Sequence, residues 1–215
     1  MTLSAEELAC WRGGRPVFAG LSFRLPPGGA LLLTGSNGSG KSSLLRVLAS
    51  LLPAESGAVD WRGAPIADDL PGYRAALHYV GHLDALKPAL SPCETLRFWA
   101  ALRGGGAPAI DAALACFALE GVAELPCRWL SAGQRRRVAL ARLIAAPAPL
   151  WLLDEPAAPL DRDGEARLAE AIAAHRAGGG MAVVATHAPL DIPEANALVL
   201  DEFAAAAMPD WAEAL

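Results

Sequence analysis

Lysine is almost missing from this chain. Among its 215 residues only Lys41 and Lys87 are lysines, and arginine supplies the rest of the 18 basic residues. Against 23 acidic residues this leaves a net charge of −5. Proteins built to grip nucleic acid carry a basic excess, so no nucleic-acid partner is expected. Cysteine is sparse too. Cys10, Cys93, Cys116 and Cys127 form no C-x-x-C pair and have no histidine pair nearby. That excludes a zinc site or redox pair and reads as free thiols in a reducing compartment. The opening Met1-Thr2-Leu3-Ser4-Ala5-Glu6-Glu7 is acidic and lacks a signal-peptide layout. The most apolar segment, residues 143–153, contains Pro147 and Pro149 and is too short to span a bilayer. A soluble cytoplasmic chain is expected, reaching a membrane only through a partner. No internal repeat is visible.

What is present is an apolar, globular composition, with 53% hydrophobic and 19% charged residues. The length suits one large α/β domain or a core with a subdomain. Residues 3–25 fall into short runs with turn signals at Gly13-Gly14 and Gly20, which predicts two or three antiparallel strands. Core strands are predicted at 30–33, 76–80, 150–153, 181–187 and 198–200, and a further strand at 58–61. Residues 91–146 read as a helical block, broken at Gly104-Gly105-Gly106 and at Pro126. An amphipathic helix is predicted over 162–176. The alanine-rich tail carries no readable pattern.

The chemistry concentrates at Gly35-Ser36-Asn37-Gly38-Ser39-Gly40-Lys41-Ser42, which fits G-x-x-x-x-G-K-[ST]. The run Ala30-Leu31-Leu32-Leu33 enters it as a strand, and leucines at 44, 45, 48, 51 and 52 leave it with helical spacing. In that context the glycines let backbone N–H groups turn around phosphate oxygens at a helix N-terminus. Lys41 is expected on the β and γ phosphates and the Ser42 hydroxyl on Mg²⁺. The expected nucleotide contacts are Gly35, Ser36, Asn37, Gly38, Ser39, Gly40, Lys41, Ser42 and Ser43. The apolar run Leu150-Trp151-Leu152-Leu153 ends in Asp154-Glu155. Asp154 is expected to hold Mg²⁺, and Glu155 to orient or deprotonate an attacking water. Trp11 or Arg12 is a candidate for contact with a base. No Asn-Lys-x-Asp guanine motif is possible around Lys87, because Leu86 precedes it.

Leu130-Ser131-Ala132-Gly133-Gln134, running into Arg135-Arg136-Arg137, resembles the L-S-G-G-Q signature of the ATP-binding-cassette (ABC) ATPases, with one glycine replaced by alanine. The arginines are read as ordinary surface residues and local pairing on a solvated helix face. Pro156-Ala157-Ala158-Pro159-Leu160-Asp161 resembles the family's D-loop, although Pro159 stands where a small residue is usual. His187 matches its switch histidine on the γ-phosphate. Val80-Gly81-His82 departs from the family, which has Gln there. That departure, with Lys87, Glu94-Thr95-Leu96-Arg97-Phe98 and Thr186-His187-Ala188-Pro189-Leu190, resembles the ATP-binding subunits of cytochrome c maturation haem exporters.

The resemblance implies an α/β fold of the P-loop NTPase, ABC type: a RecA-like core with an antiparallel β layer and a helical subdomain at about 85–146, in a single domain over 1–215. It implies ATP hydrolysis with Mg²⁺ in a homodimer, Ser131 and Gly133 of one copy facing the nucleotide of the other. It also implies integral membrane subunits of a haem-delivery complex at the cytoplasmic face of a bacterial inner membrane. The ATPase of another small-molecule ABC transporter is the alternative. Soluble ABC proteins of DNA repair or translation carry coiled-coil insertions or two cassettes, which do not fit here.

Overall fold

The computed structural model describes residues 1–104, 106–187 and 190–204. Gly105 of the predicted helix break, Ala188 and Pro189 of the haem-exporter resemblance, and the alanine-rich tail from 205 onward lie outside the described residues. Among the described residues, nine strands form two sheets. The antiparallel sheet contains β1 (Leu3–Arg12), β2 (Arg15–Leu25), β4 (Ser56–Trp61) and β5 (Ala64–Pro65) in the order β2-β1-β4-β5. The parallel sheet contains β3 (Ala30–Thr34), β6 (Leu77–Val80), β7 (Leu150–Asp154), β8 (Met181–Ala185) and β9 (Asn196–Val199) in the order β6-β7-β8-β3-β9.

The sequences of β7 and β8 explain their central place. Every residue of both strands is buried, as expected where each face of a parallel sheet is covered. Leu150 and Leu152 point to one core with Met181 and Val183, while Trp151 and Leu153 point to the other with Ala182 and Val184. The first core lies under the antiparallel sheet and α1 (Lys41–Leu48), and includes Leu8, Phe18, Leu44 and Leu45. The second joins the sheet to the helical block of α3 (Pro92–Arg103), α4 (Ala107–Cys116) and α5 (Ala132–Ala145), together with α6 (Arg162–Ala177). Ser91 and Glu94 form a reciprocal capping box that starts α3, with Pro92 in its first turn.

The predicted antiparallel layer, five-stranded core and helical block are all present. The short α2 (Leu70–Ala75) and β5 escaped prediction, being too brief to show a period. The strand predicted over 181–187 ends at Ala185, so Thr186 and His187 follow it as loop. The last strand begins and ends earlier than predicted, and Leu200–Phe203 is a 3₁₀ turn.

His78 of β6 is buried and donates from Nε2 to the Ala146 carbonyl. Burial outweighs that bond and holds its pKa down at about 4. A folded pKa below the ordinary value of about 6.5 means that acid favours the unfolded chain. This stabilisation is whole above pH 6.5 and fades as pH falls towards 4. We expect the His78 ring to remain neutral at pH 5 when its nitrogen shifts are followed by NMR; titration near 6.5 would contradict the packing described.

Candidate functional site

Parallel register brings the predicted residues together. Leu33 and Asp154 both pair with Ala185, on opposite sides of β8, so three strands reach the same sheet edge. The phosphate-type loop leaves β3 there, Asp154 ends β7, and His187 follows β8. Carboxyl ends of parallel strands are where α/β sheets bind ligands.

The loop's shape depends on glycine. Gly40 has φ of 105°, and a Cβ there would lie 2.6 Å from Val17 Cγ1. Gly40 also caps α1 without any side-chain bond, so the first-turn N–H groups point out unclaimed. Ser39 Oγ is buried there without a partner. A glycine-lined turn, an uncapped helix start and an orphaned hydroxyl together fit a polyanion such as a phosphate chain. Lys41 is buried and donates to the carbonyls of Gly35 and Ser36, at 2.8 and 2.9 Å. Its ammonium is thus parked on the loop itself.

Ser42 Oγ donates to Asp154 Oδ1 at 3.0 Å, linking loop and strand end. Two hard oxygen donors at that separation suit adjacent ligands of an octahedral Mg²⁺, whose bonds of about 2.1 Å put neighbouring oxygens about 3 Å apart. Glu155 Oε1 lies 2.9 Å from His187 Nδ1. Glu155 has φ of 47°, a left-handed conformation costing a non-glycine residue about 1–2 kcal/mol. Its N–H donates to Ala185 O at 2.9 Å, which helps to hold the turn. Asn37, Gly38, Gly40, Lys41, Ser42, Ser43 and Glu155 share one cleft of about 310 Å³ with Arg12 and Val17. Of the two candidates for base contact, Arg12 lines this cleft and Trp11 does not.

One reading of the sequence is corrected. Arg136 is not part of a solvated face: only 1% of it is exposed. Its guanidinium donates to Pro156 O (3.0 Å), Asp154 O (2.8 Å), Glu155 O (2.9 Å) and Gly81 O (2.8 Å), and also meets Asp84 Oδ1 at 3.2 Å. These carbonyls lie where β7 ends and where the chain turns beyond β6 and β7, and a planar five-donor fork meets all four together. Arg137 is locally paired, with Asp161 and Asp163, and Arg135 donates to Leu130 O.

Ser131 caps α5. Its Oγ accepts from Gln134 N at 3.1 Å, and Gln134 Oε1 accepts from Ser131 N at 2.9 Å. A Cβ on Gly133 would sit 3.1 Å from Pro159 O, so the helix start lies close to the loop after Glu155. Ser131, Gly133, Gln134, Arg137, Pro159 and Asp161 line a second cleft of about 430 Å³. It has no residue in common with the first cleft. Ser131 and Gly133 are therefore not brought to the chain's own phosphate-type loop. His82 is exposed, and no group of three or more potential metal ligands of the His, Cys, Asp and Glu type occurs among the described residues.

A profile of the ABC transporter family matches residues 18–158, which span the loop, the α5 start and the carboxylate pair. The chain belongs to the ABC transporter family. It is 57% identical to the cytochrome c biogenesis ATP-binding export protein CcmA of Rhodospirillum rubrum, covering 94% of this chain and 86% of that one. It is 55% identical to the protein of the same name from Paramagnetospirillum magneticum, over 95% and 96% of the two chains. Among solved structures, the ATP-binding subunit of an ABC transporter superposes with a TM-score of 0.79 at 25% identity, covering 87% of this chain and 80% of that one. A bacterial Atm1-family ABC exporter with ATP bound superposes at 0.81 and 24% identity, over 94% of this chain and 37% of that one, and bears on the fold alone.

Sequence reasoning missed two residues of this site. Arg136 was hidden in a run of three arginines, where only the buried face of α5 distinguishes it. Asp201, whose carboxylate accepts from Ser36 N (2.8 Å) and Ser36 Oγ (2.6 Å), belongs to no motif. Removing the fork should be costly. We expect Arg136→Met to lower stability by roughly 3–5 kcal/mol, the usual result of breaking a buried charged network. Urea denaturation followed by circular dichroism checks this, and a loss below about 1 kcal/mol would refute it.

Proposed function

We propose that this chain is the ATP-hydrolysing subunit of an ABC transporter complex for cytochrome c biogenesis, powering haem export or release of a haem-loaded chaperone. The carrying observation is a phosphate-type loop, a carboxylate pair and a histidine on one sheet edge, in a chain 57% identical to a named cytochrome c biogenesis ATP-binding export protein. The chain acts as one ATP-binding domain whose helical block, about 85–146, carries the signature.

ATP lies along the first cleft, its phosphates in the turn from Gly35 to Ser43. Lys41 exchanges the Gly35 and Ser36 carbonyls for β and γ phosphate oxygens. Ser42 and Asp154 hold Mg²⁺, which offsets the charge of the phosphates when bound. Glu155 accepts a proton from the attacking water, and His187 orients Glu155 and contacts the γ-phosphate. Arg12 lies against the base. The ATP sites are completed by a second copy, because Ser131 and Gly133 open onto a different cleft from the one that holds the chain's own nucleotide. The working unit is a homodimer with two equivalent sites.

No helix among the described residues is long and apolar enough to cross a membrane, and the proposed membrane link runs through integral subunits. On α3, Phe98 and Leu102 are 55% and 62% exposed, and Leu83, leading into the helical block, is 81% exposed. These side chains offer an apolar surface to such partners at the cytoplasmic face of the inner membrane.

Glu155→Gln should retain ATP binding while lowering turnover about 10²- to 10⁴-fold, since it removes the base and leaves the phosphate turn intact. Single-turnover hydrolysis beside ATP binding measures both, and wild-type turnover would show that the water is activated by another group. In cells, Lys41→Ala should abolish covalent haem attachment to c-type cytochromes and leave b-type haemoproteins normal. Haem staining of gels reads this out. Normal mature cytochrome c in cells carrying only that variant would overturn the pathway while leaving an ABC ATPase of another substrate.

A further inference from the structure

We infer that Asp201 is a positioning residue for the phosphate-binding turn, holding its entrance in the shape that receives ATP; the inference rests on the ATP reading above. It is placed there by sheet register. β9 runs parallel to β3 with Thr34 opposite Val199, so the chain two residues on sets Asp201 beside Ser36. Its two carboxylate oxygens take both donors of Ser36, the N–H at 2.8 Å and the hydroxyl at 2.6 Å. Gly35 packs against the same carboxylate, since a Cβ there would lie 2.9 Å from Asp201 Oδ2.

The pairing matters because Gly35 and Ser36 also supply the two carbonyls on which Lys41 rests. One short stretch is held from outside by Asp201 and from inside by the ammonium. When Lys41 leaves for phosphate, the ammonium's two bonds are lost, and Asp201 holds the turn's entrance together with the Ser39 N–H, which donates to Ser36 O at 3.1 Å. Glycine-rich backbone is costly to order, so a fixed entrance lowers the entropy that nucleotide binding must overcome. The two bonds from Ser36 hold the Asp201 carboxyl below the usual carboxylate range, which keeps it an acceptor throughout the neutral region.

The experiment is titration calorimetry of Mg-ATP with the full chain and three variants. Asp201→Ala should weaken ATP binding about tenfold, with the melting temperature of the ATP-free protein within a few degrees of wild type. Asp201→Asn keeps one carbonyl acceptor and should recover most of the affinity, which also covers the case of an Ala variant that fails to fold. Lys41→Ala is the control and should lose binding. Unchanged affinity in both Asp201 variants, with binding lost in Lys41→Ala, would overturn the positioning role and leave the ATP site standing. Tighter binding in both would overturn it too, because the carboxylate would then act only as a charge repelling phosphate. Wild-type binding by Lys41→Ala would remove the ATP reading itself, and the inference with it.

Discussion

Parallel pairing of β7, β8 and β3 is the constraint on which everything else in the molecule depends. β7 and β8 are buried throughout and β3 at three of its five residues, so a one-residue slip would exchange the residues facing the two cores. With the register fixed, a loop, a carboxylate pair and a histidine must leave the sheet at one edge. The strain at Glu155 is local to that edge, where its left-handed turn aims the carboxylate at the cleft shared with Lys41.

Arg136 connects this edge to the helical block. It sits in α5, the helix that Ser131 caps, and its guanidinium holds the carbonyls of Asp154, Glu155 and Pro156. It also reaches Gly81 and Asp84, on the segment leading from β6 into the helical block. The signature helix and the carboxylate strand therefore cannot shift against each other without leaving buried donors and acceptors unpaired.

Legibility in the sequence followed the length scale of the signal. The phosphate-type loop and the Asp154-Glu155 pair could be read because each is a contiguous pattern bounded by a buried strand. The α5 start could be read from five adjacent residues. Arg136 could not, since the burial of one arginine among three is a property of which helix face meets the core. Asp201 could not either, because its partner Ser36 is 165 residues away and only the β3–β9 register joins them. The misplaced end of β8 has a similar cause: β-branched Thr186 extends the strand pattern, but β7 ends at Asp154, opposite Ala185, while the Thr186 N–H still donates to Leu33 O of β3.

The central claim is that one chain supplies the phosphate turn and carboxylates while a second supplies Ser131 and Gly133. It is tested most directly by photo-cross-linking with an ATP derivative carrying an azide on its γ-phosphate. Glu155→Gln chains, expected to hold nucleotide, are mixed with Lys41→Ala chains of distinguishable mass, expected not to. The account predicts label on the segment from Leu130 to Arg137 of the Lys41→Ala chain. Label confined to the Glu155→Gln chain, in mixtures where the two are shown to associate, would contradict it.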